Sequence, residues 1–275
     1  MSKTWLITGS SRGLGRALAK AALDSGDRVL ATARRLEQLD DLVKEYGEAI
    51  HAVALDVTDA AAARSAVRAA VDVFGGLDVV ANNAGYANSA PIEEMAEDDF
   101  RAQLETNLYG VVNVTRAALP LFRKQRSGHF LQFSSIGGRA GGTPGMGAYQ
   151  TAKFAVEGFS EVLNNEVKPF GVKVTIVEPG AFRTDWGGSS MTLHQVGADY
   201  ESTVGQINRY RAETDGTQPG DPAKAAQAIV GIVALDNPPL RLLLGKHALE
   251  LADKASRSRA DEAARWADVT TSTDY

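Results

Sequence analysis

Short apolar runs alternate with longer amphipathic stretches along most of the chain, and this alternation restricts the fold more than any other feature. The runs are rich in Val, Ile, Leu and Ala and have the length of buried strands, whereas the longer stretches repeat their apolar residues at helical spacing. Near-continuous apolar strands separated by helices predict a parallel sheet that is covered on both faces. We therefore expect an α/β fold, a doubly wound Rossmann-type parallel sheet of seven strands with helices on both faces.

The predicted elements follow one another without a linker or an internal repeat, so we expect one domain over residues 1–275. Strands are predicted at residues 4–8, 28–33, 50–55, 77–81, 129–134, 172–177 and 240–244. Helices are predicted at residues 14–25, 36–46, 60–74, 97–125, 149–168 and 222–235. Two segments depart from the alternation. Residues 185–220 are polar and Gly-rich and predict a substrate lid, with a disordered loop as the alternative. Residues 247–275 predict a charged helical tail with a frayed end.

Composition excludes several kinds of function. The chain has no cysteine, which rules out disulfides, thiolate catalysis and Cys-ligated metals. Its net charge of -5 provides no basic field for nucleic acid or anionic lipid. We find neither a bilayer-spanning apolar run nor a signal-peptide core, and we expect a cytoplasmic protein without nucleic-acid or membrane partners. The four histidines are too scattered for a metal site or a hydrolase triad, so no metal is predicted: His51, His129, His194 and His247.

A glycine-rich loop, TGSSRGLG, follows the first predicted strand and leads into the first predicted helix. Glycine allows the backbone to turn tightly and to approach a pyrophosphate, and the N-terminus of the helix offers unpaired N–H groups to the phosphates. The alternative is an ordinary glycine turn. Its place between strand and helix favours a dinucleotide site. The residues expected to face the cofactor are Gly9, Ser11, Arg12, Gly13, Leu14 and Gly15.

The second predicted strand lacks the carboxylate that an NAD site normally places at its end to bind the ribose 2′-hydroxyl. Ala33 occupies that place and is followed by Arg34 and Arg35, while Arg12 lies in the glycine loop. Guanidinium groups bind a 2′-phosphate, which an aspartate would repel. We therefore predict NADP(H) in preference to NAD(H), with Arg34 and Arg12 ahead of Arg35 as its ligands. The alternative is that these arginines are solvated surface residues.

Tyr149 and Lys153 are spaced i and i+4, which places them on one face of a predicted helix. A free phenol has a pKa of about 10, and a positive charge at about 4 Å could lower it by up to roughly three units before desolvation opposes the effect. Ser134 and Ser135 end the fifth predicted strand, at the edge where parallel sheets bind ligands. No G-x-S-x-G elbow surrounds them, which disfavours a serine hydrolase. Taken alone, the Tyr–Lys pair also fits an exposed helix face.

Together these motifs resemble the short-chain dehydrogenase/reductase family, in its ordinary single-domain NAD(P)-dependent branch. The resemblance covers residues 4–184 and continues more weakly to about residue 245. It depends on motifs that occur in the family's order: T-G-x-x-x-G-x-G at Thr8, Gly9, Gly13 and Gly15, N-N-A-G at Asn82 to Gly85, the helix asparagine Asn107, the serine Ser135, Y-x-x-x-K at Tyr149 and Lys153, and Pro179-Gly180 with Thr184.

The resemblance implies a role for each matching residue. Tyr149 would exchange a proton with the substrate oxygen, and Ser135 would hold that oxygen. Lys153 would lower the phenol pKa and bind the nicotinamide ribose, and Asn107 would anchor a water in a proton relay. Further cofactor contacts are implied for Asp56, Val57, Asn83, Ala84, Gly85, Pro179, Gly180, Phe182 and Thr184. The alternatives are a backbone-bonded helix asparagine for Asn107 and a helix cap for Asp56.

The implied function is hydride transfer between NADP(H) and a carbonyl or secondary alcohol of a small, hydrophobic substrate. Apart from Arg183, the lid has no Lys/Arg cluster that would indicate a highly anionic substrate. The resemblance also implies a homodimer or homotetramer formed through helices 97–125 and 149–168. The alternatives are a catalytically silent NADP(H)-sensing regulator and a nucleotide-sugar epimerase or dehydratase, which needs a larger C-terminal domain. Six side chains could line an apolar pocket or simply pack the lid: Met146, Phe182, Trp186, Met191, Leu193 and Tyr200.

Overall fold

The computed structural model describes residues 2–186, 188 and 190–275. Gly187 and Ser189, which belong to the predicted lid, lie outside the described residues. The strands in the described part of the chain are β1 (Thr4–Ile7), β2 (Arg28–Ala33), β3 (Ile50–Ala54), β4 (Val79–Asn82), β5 (Ala87–Ser89), β6 (Gly128–Phe133), β7 (Val172–Pro179), β8 (Met191–Leu193) and β9 (Arg241–Leu244).

Seven of these strands form one sheet in the order β3-β2-β1-β4-β6-β7-β9, and every neighbouring pair is parallel. The predicted Rossmann-type sheet is therefore confirmed. Strand order reverses direction between β1 and β4, and the ligands of such sheets bind beyond the carboxyl ends of the strands at this point. The strands β5 and β8 form a separate two-stranded parallel sheet that was not predicted.

The helices agree with the predicted spans to within a few residues, with one internal difference. The predicted helix 97–125 is interrupted by a π-helical turn at Glu105–Tyr109. The α-helices are α1 (Gly13–Asp24), α2 (Asp40–Tyr46), α3 (Ala60–Phe74), α4 (Glu97–Leu104), α5 (Gly110–Gln125), α6 (Gly147–Val167), α7 (Gln206–Thr214), α8 (Pro222–Val233), α9 (Lys246–Arg265) and α10 (Ala267–Thr271). No helix in the described ranges has the length and apolarity needed to cross a bilayer.

Two hydrophobic cores cover the two faces of the sheet, because successive side chains of a strand point to opposite faces. In β1, Trp5 and Ile7 pack into the core formed with α1, α2 and α8, whereas Leu6 packs into the core formed with α3, α5 and α6. All three side chains are fully buried. Layers on both faces leave the two ends of the strands as the places where a ligand can approach the sheet.

Residues 185–220 contain regular structure where the sequence suggested a long loop. The strand β8 pairs with β5, and a π-helical turn at Glu201–Gly205 leads into α7. Three-residue strands carry too little periodicity to be detected from sequence. The tail is helical, as predicted, and most of α9 and all of α10 are exposed.

Phe122 tests how far the second core determines stability. Its fully buried ring lies 4.9 Å from that of Phe130, centroid to centroid. Because truncation leaves a cavity, we expect Phe122→Ala to lower the free energy of unfolding by about 3–5 kcal/mol. The control is Val73→Ala on α3, where the side chain is 48% exposed and a change below about 0.5 kcal/mol is expected. Urea unfolding measures both, and equal losses would contradict this assignment of the core.

Candidate active site

The carboxyl end of β6 positions the predicted active-site serine. The strand ends at Phe133, and Ser135 lies two residues later with an extended backbone. Its hydroxyl oxygen accepts a hydrogen bond of 3.0 Å from the backbone N–H of Gly137. This bond orients the hydroxyl at the start of a short 3-10 turn, Ile136–Gly138.

Helix α6 places Tyr149 and Lys153 one turn apart, and both side chains are buried. The Lys153 Nζ atom lies 5.6 Å from the centroid of the Tyr149 ring. The same atom donates a 2.7 Å hydrogen bond to the carbonyl oxygen of Phe133. A buried polar pair in contact with a strand end does not fit the exposed helix face that the spacing alone allowed. The three predicted residues Ser135, Tyr149 and Lys153 therefore meet where β6 ends.

Burial dominates the electrostatics of this pair. It raises the pKa of the Tyr149 phenol to about 12, and a side-chain hydrogen bond with Ser135 opposes the rise. Burial also lowers the pKa of the Lys153 ammonium to about 8, while the charge of Glu157 acts to raise it. The sequence argument expected a phenol with a lowered pKa. The pKa is instead raised, because the cost of burying a phenolate exceeds the stabilisation from its surroundings.

Asn107 lies in the π-helical turn, and all its amide atoms contact backbone. Its Nδ2 donates to the carbonyl oxygens of Tyr86 and Gln103 at 2.8 Å each, and its Oδ1 accepts from the N–H of Tyr86 at 3.2 Å. The alternative of a backbone-bonded asparagine therefore describes these contacts. A Cβ on Gly85 would lie 2.5 Å from Asn107 Oδ1 and 3.7 Å from Lys153 Nζ. Gly85 thus lies close to both Asn107 and Lys153, which places Asn107 near the site.

The glycine loop has the geometry that the sequence predicted. Gly9 and Gly13 have φ angles of +69° and +57°, which favour glycine. A Cβ on Gly9 would lie 3.0 Å from Ala84 Cα, and one on Gly13 would lie 3.5 Å from Thr184 Cβ. The loop therefore lies between the segment after β4 and the segment after β7. A Cβ on Gly15 would lie 2.3 Å from the Gly9 carbonyl oxygen, so the predicted Gly15 contributes packing.

Thr8 and Asn83 hold this loop against the end of β4. The Asn83 Nδ2 atom donates to the carbonyl oxygens of Thr8 and Gly9 at 3.0 and 3.2 Å. The Thr8 hydroxyl accepts from the N–H groups of Asn83 and Ala84, each at 3.0 Å. Asn83 and Ala84, predicted as cofactor contacts, thus make defined contacts that shape the loop. Thr8 entered the sequence analysis only as part of a motif, and its buried hydroxyl gave no separate signal.

The N-terminus of α1 is suited to an anion. Arg12 occupies the N-cap position, no side chain in the described residues caps the helix, and the first turn has no acidic residue. The first N–H groups of the helix and its dipole therefore face the glycine loop without a competing carboxylate. Ser11 and Leu14 flank these positions and are half-buried. These features fit the pyrophosphate of a dinucleotide.

Arg34 lies exposed at the end of β2, as the prediction of a phosphate ligand requires. Hydrogen bonds from Thr58 lower the pKa of the Asp56 carboxyl, and the nearby charge of Arg34 lowers it further. Arg35 instead approaches Glu37, with 3.7 Å between Nε and Oε1. Arg34 is therefore the better placed of the two adjacent arginines.

Asp56 does not cap helix α3, so that alternative is wrong. Its carboxylate accepts hydrogen bonds from the N–H and the hydroxyl of Thr58 at 2.9 and 2.8 Å. The cap is Asp59, whose carboxylate accepts from the N–H groups of Ala61 and Ala62. Val57 is buried, and its side chain would lie 2.5 Å from a Cβ on Gly110. Asp56 and Val57 together form the rim beyond β3.

The remaining predicted cofactor residues lie at the end of β7 and in the segment after it, and they differ in whether they approach the glycine loop. Pro179 ends the strand, and the Gly180 N–H donates to the Leu244 carbonyl oxygen at 2.9 Å. Phe182 forms a bridge with Gly220 and packs against the first core. Thr184 alone reaches the glycine loop, at Gly13. Pro179, Gly180 and Phe182 thus contact the protein, and Thr184 faces the cofactor side.

Apolar side chains surround Tyr149. Its ring lies 5.3 Å from that of Trp186, and Met146 and Met191 share a buried cluster with it. Leu193 packs against this cluster. Four of the six side chains predicted for a pocket or for lid packing therefore lie here. Phe182 belongs to the first core, and Tyr200 donates its hydroxyl to Glu93 at the surface.

Comparison with known proteins assigns the family. Residues 3–192 match the family model described as short chain dehydrogenase. The chain belongs to the short-chain dehydrogenase family. Over 270 residues it is 50% identical to Oxidoreductase BOA17 of Botryotinia fuckeliana, which covers 98% of each chain. Like its relatives, the chain is an oxidoreductase of this family.

Solved structures agree with this assignment. A short-chain dehydrogenase from Streptomyces avermitilis has a TM-score of 0.93 and 40% identity, and each chain is covered to 100%. An alcohol dehydrogenase from the archaeon Thermococcus sibiricus, complexed with 5-hydroxy-NADP, has a TM-score of 0.72 and 28% identity, with 89% of this chain and 96% of that chain covered. The bound nucleotide supports a nicotinamide cofactor for this short-chain dehydrogenase.

Residues 185–220, which the sequence predicts to be a lid, contain two arginines that were not considered for the site. Arg209 and Arg211 both lie on α7, so this segment holds a pair of arginines where no Lys/Arg cluster was expected. Arg209 forms an ion pair with Glu201. Arg211 contacts Ser89 on β5. Its position beside β5 depends on tertiary structure, which no spacing in the sequence indicates.

Lys153→Met tests the cost of the buried charge. At pH about 7 the substitution avoids a desolvation cost of about 3 kcal/mol, at about 1.4 kcal/mol per pKa unit, and loses the bond to Phe133, worth about 1–2 kcal/mol. We expect the free energy of unfolding to rise by about 1–2 kcal/mol. Lys168→Met, at an exposed lysine beyond α6, is the control.

The change of the free energy of unfolding with pH tests whether the buried charge of Lys153 causes this difference. Because the Lys153 pKa falls from 10.5 to about 8 on folding, the unfolded chain binds more protons between these values, and stability there rises with pH. The advantage of Lys153→Met over the wild type should therefore shrink from pH about 8 to about 10.5. Urea unfolding at both ends of this range measures it. A constant difference would show that Lys153 titrates as an exposed lysine.

Proposed function

We propose that this short-chain dehydrogenase transfers hydride between NADP(H) and a carbonyl or secondary alcohol carbon of a small molecule with apolar parts, and that Tyr149 is the general acid and base. One observation carries the proposal. The buried Tyr149 side chain lies beside Ser135 at the carboxyl end of β6, and its ring centroid is 5.6 Å from Lys153 Nζ.

The site residues divide the proton chemistry among them. Because its pKa is raised to about 12, Tyr149 is protonated at neutral pH. It can therefore donate its proton to the substrate carbonyl oxygen as that oxygen becomes an alkoxide. Lys153 supplies positive charge beside the phenolate that remains. The Ser135 hydroxyl can hydrogen-bond the same substrate oxygen. When bound, the nicotinamide supplies or accepts the hydride. Around these groups, Trp186 and the neighbouring methionines limit the access of water.

Several features support NADP(H) as the cofactor. The N-terminus of α1 lacks an acidic residue in its first turn, and Gly9 and Gly13 leave room for a backbone-bound pyrophosphate. Arg34 follows β2 where an NAD enzyme would carry a carboxylate. The similar alcohol dehydrogenase from Thermococcus sibiricus is complexed with 5-hydroxy-NADP. Thr184, next to Gly13, is placed to bind the nicotinamide carboxamide.

We also propose that the chain acts as one domain and as a homo-oligomer. One domain is supported by β9, close to the C-terminal tail, which extends the sheet that β1 begins. The oligomer is supported by exposed apolar side chains near and along the long helices, including Tyr109, Phe154 and Val162. Arg259 of α9 stacks over the Phe154 ring at 5.9 Å, so the tail limits which part of α6 a second subunit can contact.

Tyr149→Phe tests the acid/base role. Positioned acid/base groups contribute about 10²–10⁴-fold to a rate, so we expect kcat to fall by at least about 10²-fold with carbonyl substrates. NADPH affinity, measured by fluorescence titration, should stay within about twofold because the ring remains. A panel of ketones, aldehydes and quinones with NADPH supplies the substrates, and Tyr46→Phe, at a tyrosine that bonds Asp24, is the control. Turnover near that of the wild type would exclude proton transfer by Tyr149.

Arg34→Asp tests the cofactor preference. Exchanging a cation for a carboxylate at the 2′-phosphate position should lower kcat/KM for NADPH relative to NADH by about 10²-fold or more. Arg35→Asp is the matched control, because Arg35 faces Glu37, and it should change the ratio by less than about fivefold. Steady-state kinetics with both cofactors measure the ratio. If the two variants keep the same ratio as the wild type, Arg34 does not bind the phosphate.

A further inference from the structure

Helix α7 carries an arginine that reaches down to β5 beside the site. The Arg211 Nη1 atom donates to the Ser89 hydroxyl at 2.9 Å and to Asn208 Oδ1 at 3.3 Å. The Ser89 hydroxyl in turn donates to Asn208 Oδ1 at 2.7 Å. Ser89 is fully buried and Asn208 is 8% exposed. The guanidinium group is thus held in a fixed place by two buried side chains.

This guanidinium has no counter-ion within residues 2–186, 188 and 190–275. Arg209, two positions earlier on the same helix, pairs with Glu201, whereas no carboxylate of the described chain pairs with Arg211. Burial alone lowers the pKa of Arg211, to about 10, with no acidic neighbour acting against it. A half-buried cation without an anion is costly to a folded protein. Its Nε and Nη2 atoms make no hydrogen bond with the described residues, and neither is sealed from solvent.

A second donor at the same place also lacks an acceptor. Asn208 Nδ2 is buried and has no hydrogen-bond partner among the described residues. The amide cannot turn over to satisfy this atom, because its Nδ2 would then face the Arg211 cation and the Ser89 hydroxyl would lose its acceptor. Arg211 and Asn208, which contact each other, therefore both carry N–H groups that lack an acceptor within the described residues. A hydrogen-bond acceptor with negative charge would satisfy the unpaired N–H groups of both side chains.

The donors adjoin the cluster around Tyr149. Ser89 and Ala87 point to the same face of β5, and Ala87 packs with Tyr149 and Met146. A Cβ on Gly145, four residues before Tyr149, would lie 2.4 Å from the Ser89 hydroxyl oxygen. The apolar cluster around Tyr149 therefore continues along β5 towards the side chain that holds Arg211.

We propose that Arg211 and Asn208 Nδ2 bind a carboxylate of the substrate while its reacting carbonyl or alcohol carbon lies at Tyr149. The substrate class is then an oxo acid or hydroxy acid whose apolar carbon chain lies between the two ends, against the methionines. This inference rests on the proposed oxidoreductase function and adds one charged group to the hydrophobic substrate expected from the sequence. Arg211 is a specificity residue in this account, because it touches the substrate away from the reacting atoms.

The test compares charged substrates with their uncharged esters, in the wild type and in two arginine variants. Linear oxo acids with two to six carbons between ketone and carboxylate are compared with their methyl esters, which keep the shape and lose the charge. The variants are Arg211→Met and, as control on the same helix, Arg209→Met. The wild type should prefer the best acid over its ester by at least about tenfold in kcat/KM, the typical worth of a hydrogen bond to a charged group.

Arg211→Met should remove that preference mainly through a higher KM for the acid, with the ester unchanged within about threefold. Arg209→Met should keep the preference. If Arg211→Met does not fold, Arg211→Lys replaces it, and a loss of about fivefold or more in the preference is expected because lysine lacks the planar fork. A wild type without preference for acids, or equal losses on acid and ester in the Arg211 variant, would overturn the proposal.

Binding without turnover separates this inference from the proposed function. Calorimetric titration of the same acids and esters into protein with NADP⁺ measures affinity when no ketone can be reduced. Preferential binding of the acid that depends on Arg211, together with no turnover with NADPH, would support the carboxylate site and contradict the oxidoreductase proposal. Turnover of acids and esters at equal rates, with equal affinities, would retain the proposed function and refute the carboxylate site.

Discussion

The arrangement of the site depends on a buried ammonium ion. Removing the Lys153 side chain from water is costly, and the carbonyl oxygen of Phe133 and the charge of Glu157 offset part of that cost. Glu157 is itself buried and lies 3.1 Å from Arg241, which also lies 3.2 Å from the buried Glu178. Charges of alternating sign therefore connect α6 with β7 and β9. The electrostatic surroundings of the site therefore continue into the ion pairs that join these three elements.

Most of the sheet could be predicted because each central strand is a continuous apolar run and each covering helix has a clear apolar face. The same local information placed Ser135 at a strand end and Tyr149 with Lys153 on one helix face. These inferences need only helical spacing and the rule that parallel strands end at one edge. The glycine loop could also be predicted from local sequence, since Gly9 and Gly13 adopt positive φ angles that other residues avoid.

The remainder depends on contacts between distant segments. The pairing of β5 with β8 joins residues about a hundred positions apart, and each strand is three residues long. The π-helical turn around Asn107 follows from its bonds to the backbone of Tyr86, which the helical pattern does not contain. The pKa of Tyr149 depends on how deeply the ring is buried, and the position of Arg211 depends on Ser89. No spacing along the chain encodes these distances.

The small sheet of β5 and β8 has a mechanical consequence. Its ladder joins Ala87–Ser89 to Met191–Leu193, so the first part of the predicted lid is hydrogen-bonded to the segment after β4. The His194 N–H adds a 3.0 Å bond to the Ser89 carbonyl oxygen, one residue beyond the ladder. An outward swing of the whole segment would break these bonds together, whereas a swing that begins after His194 would break none of them. Because the Ser89 side chain also bonds Asn208 and Arg211 of α7, the same short strand restrains both the beginning and the later part of the predicted lid.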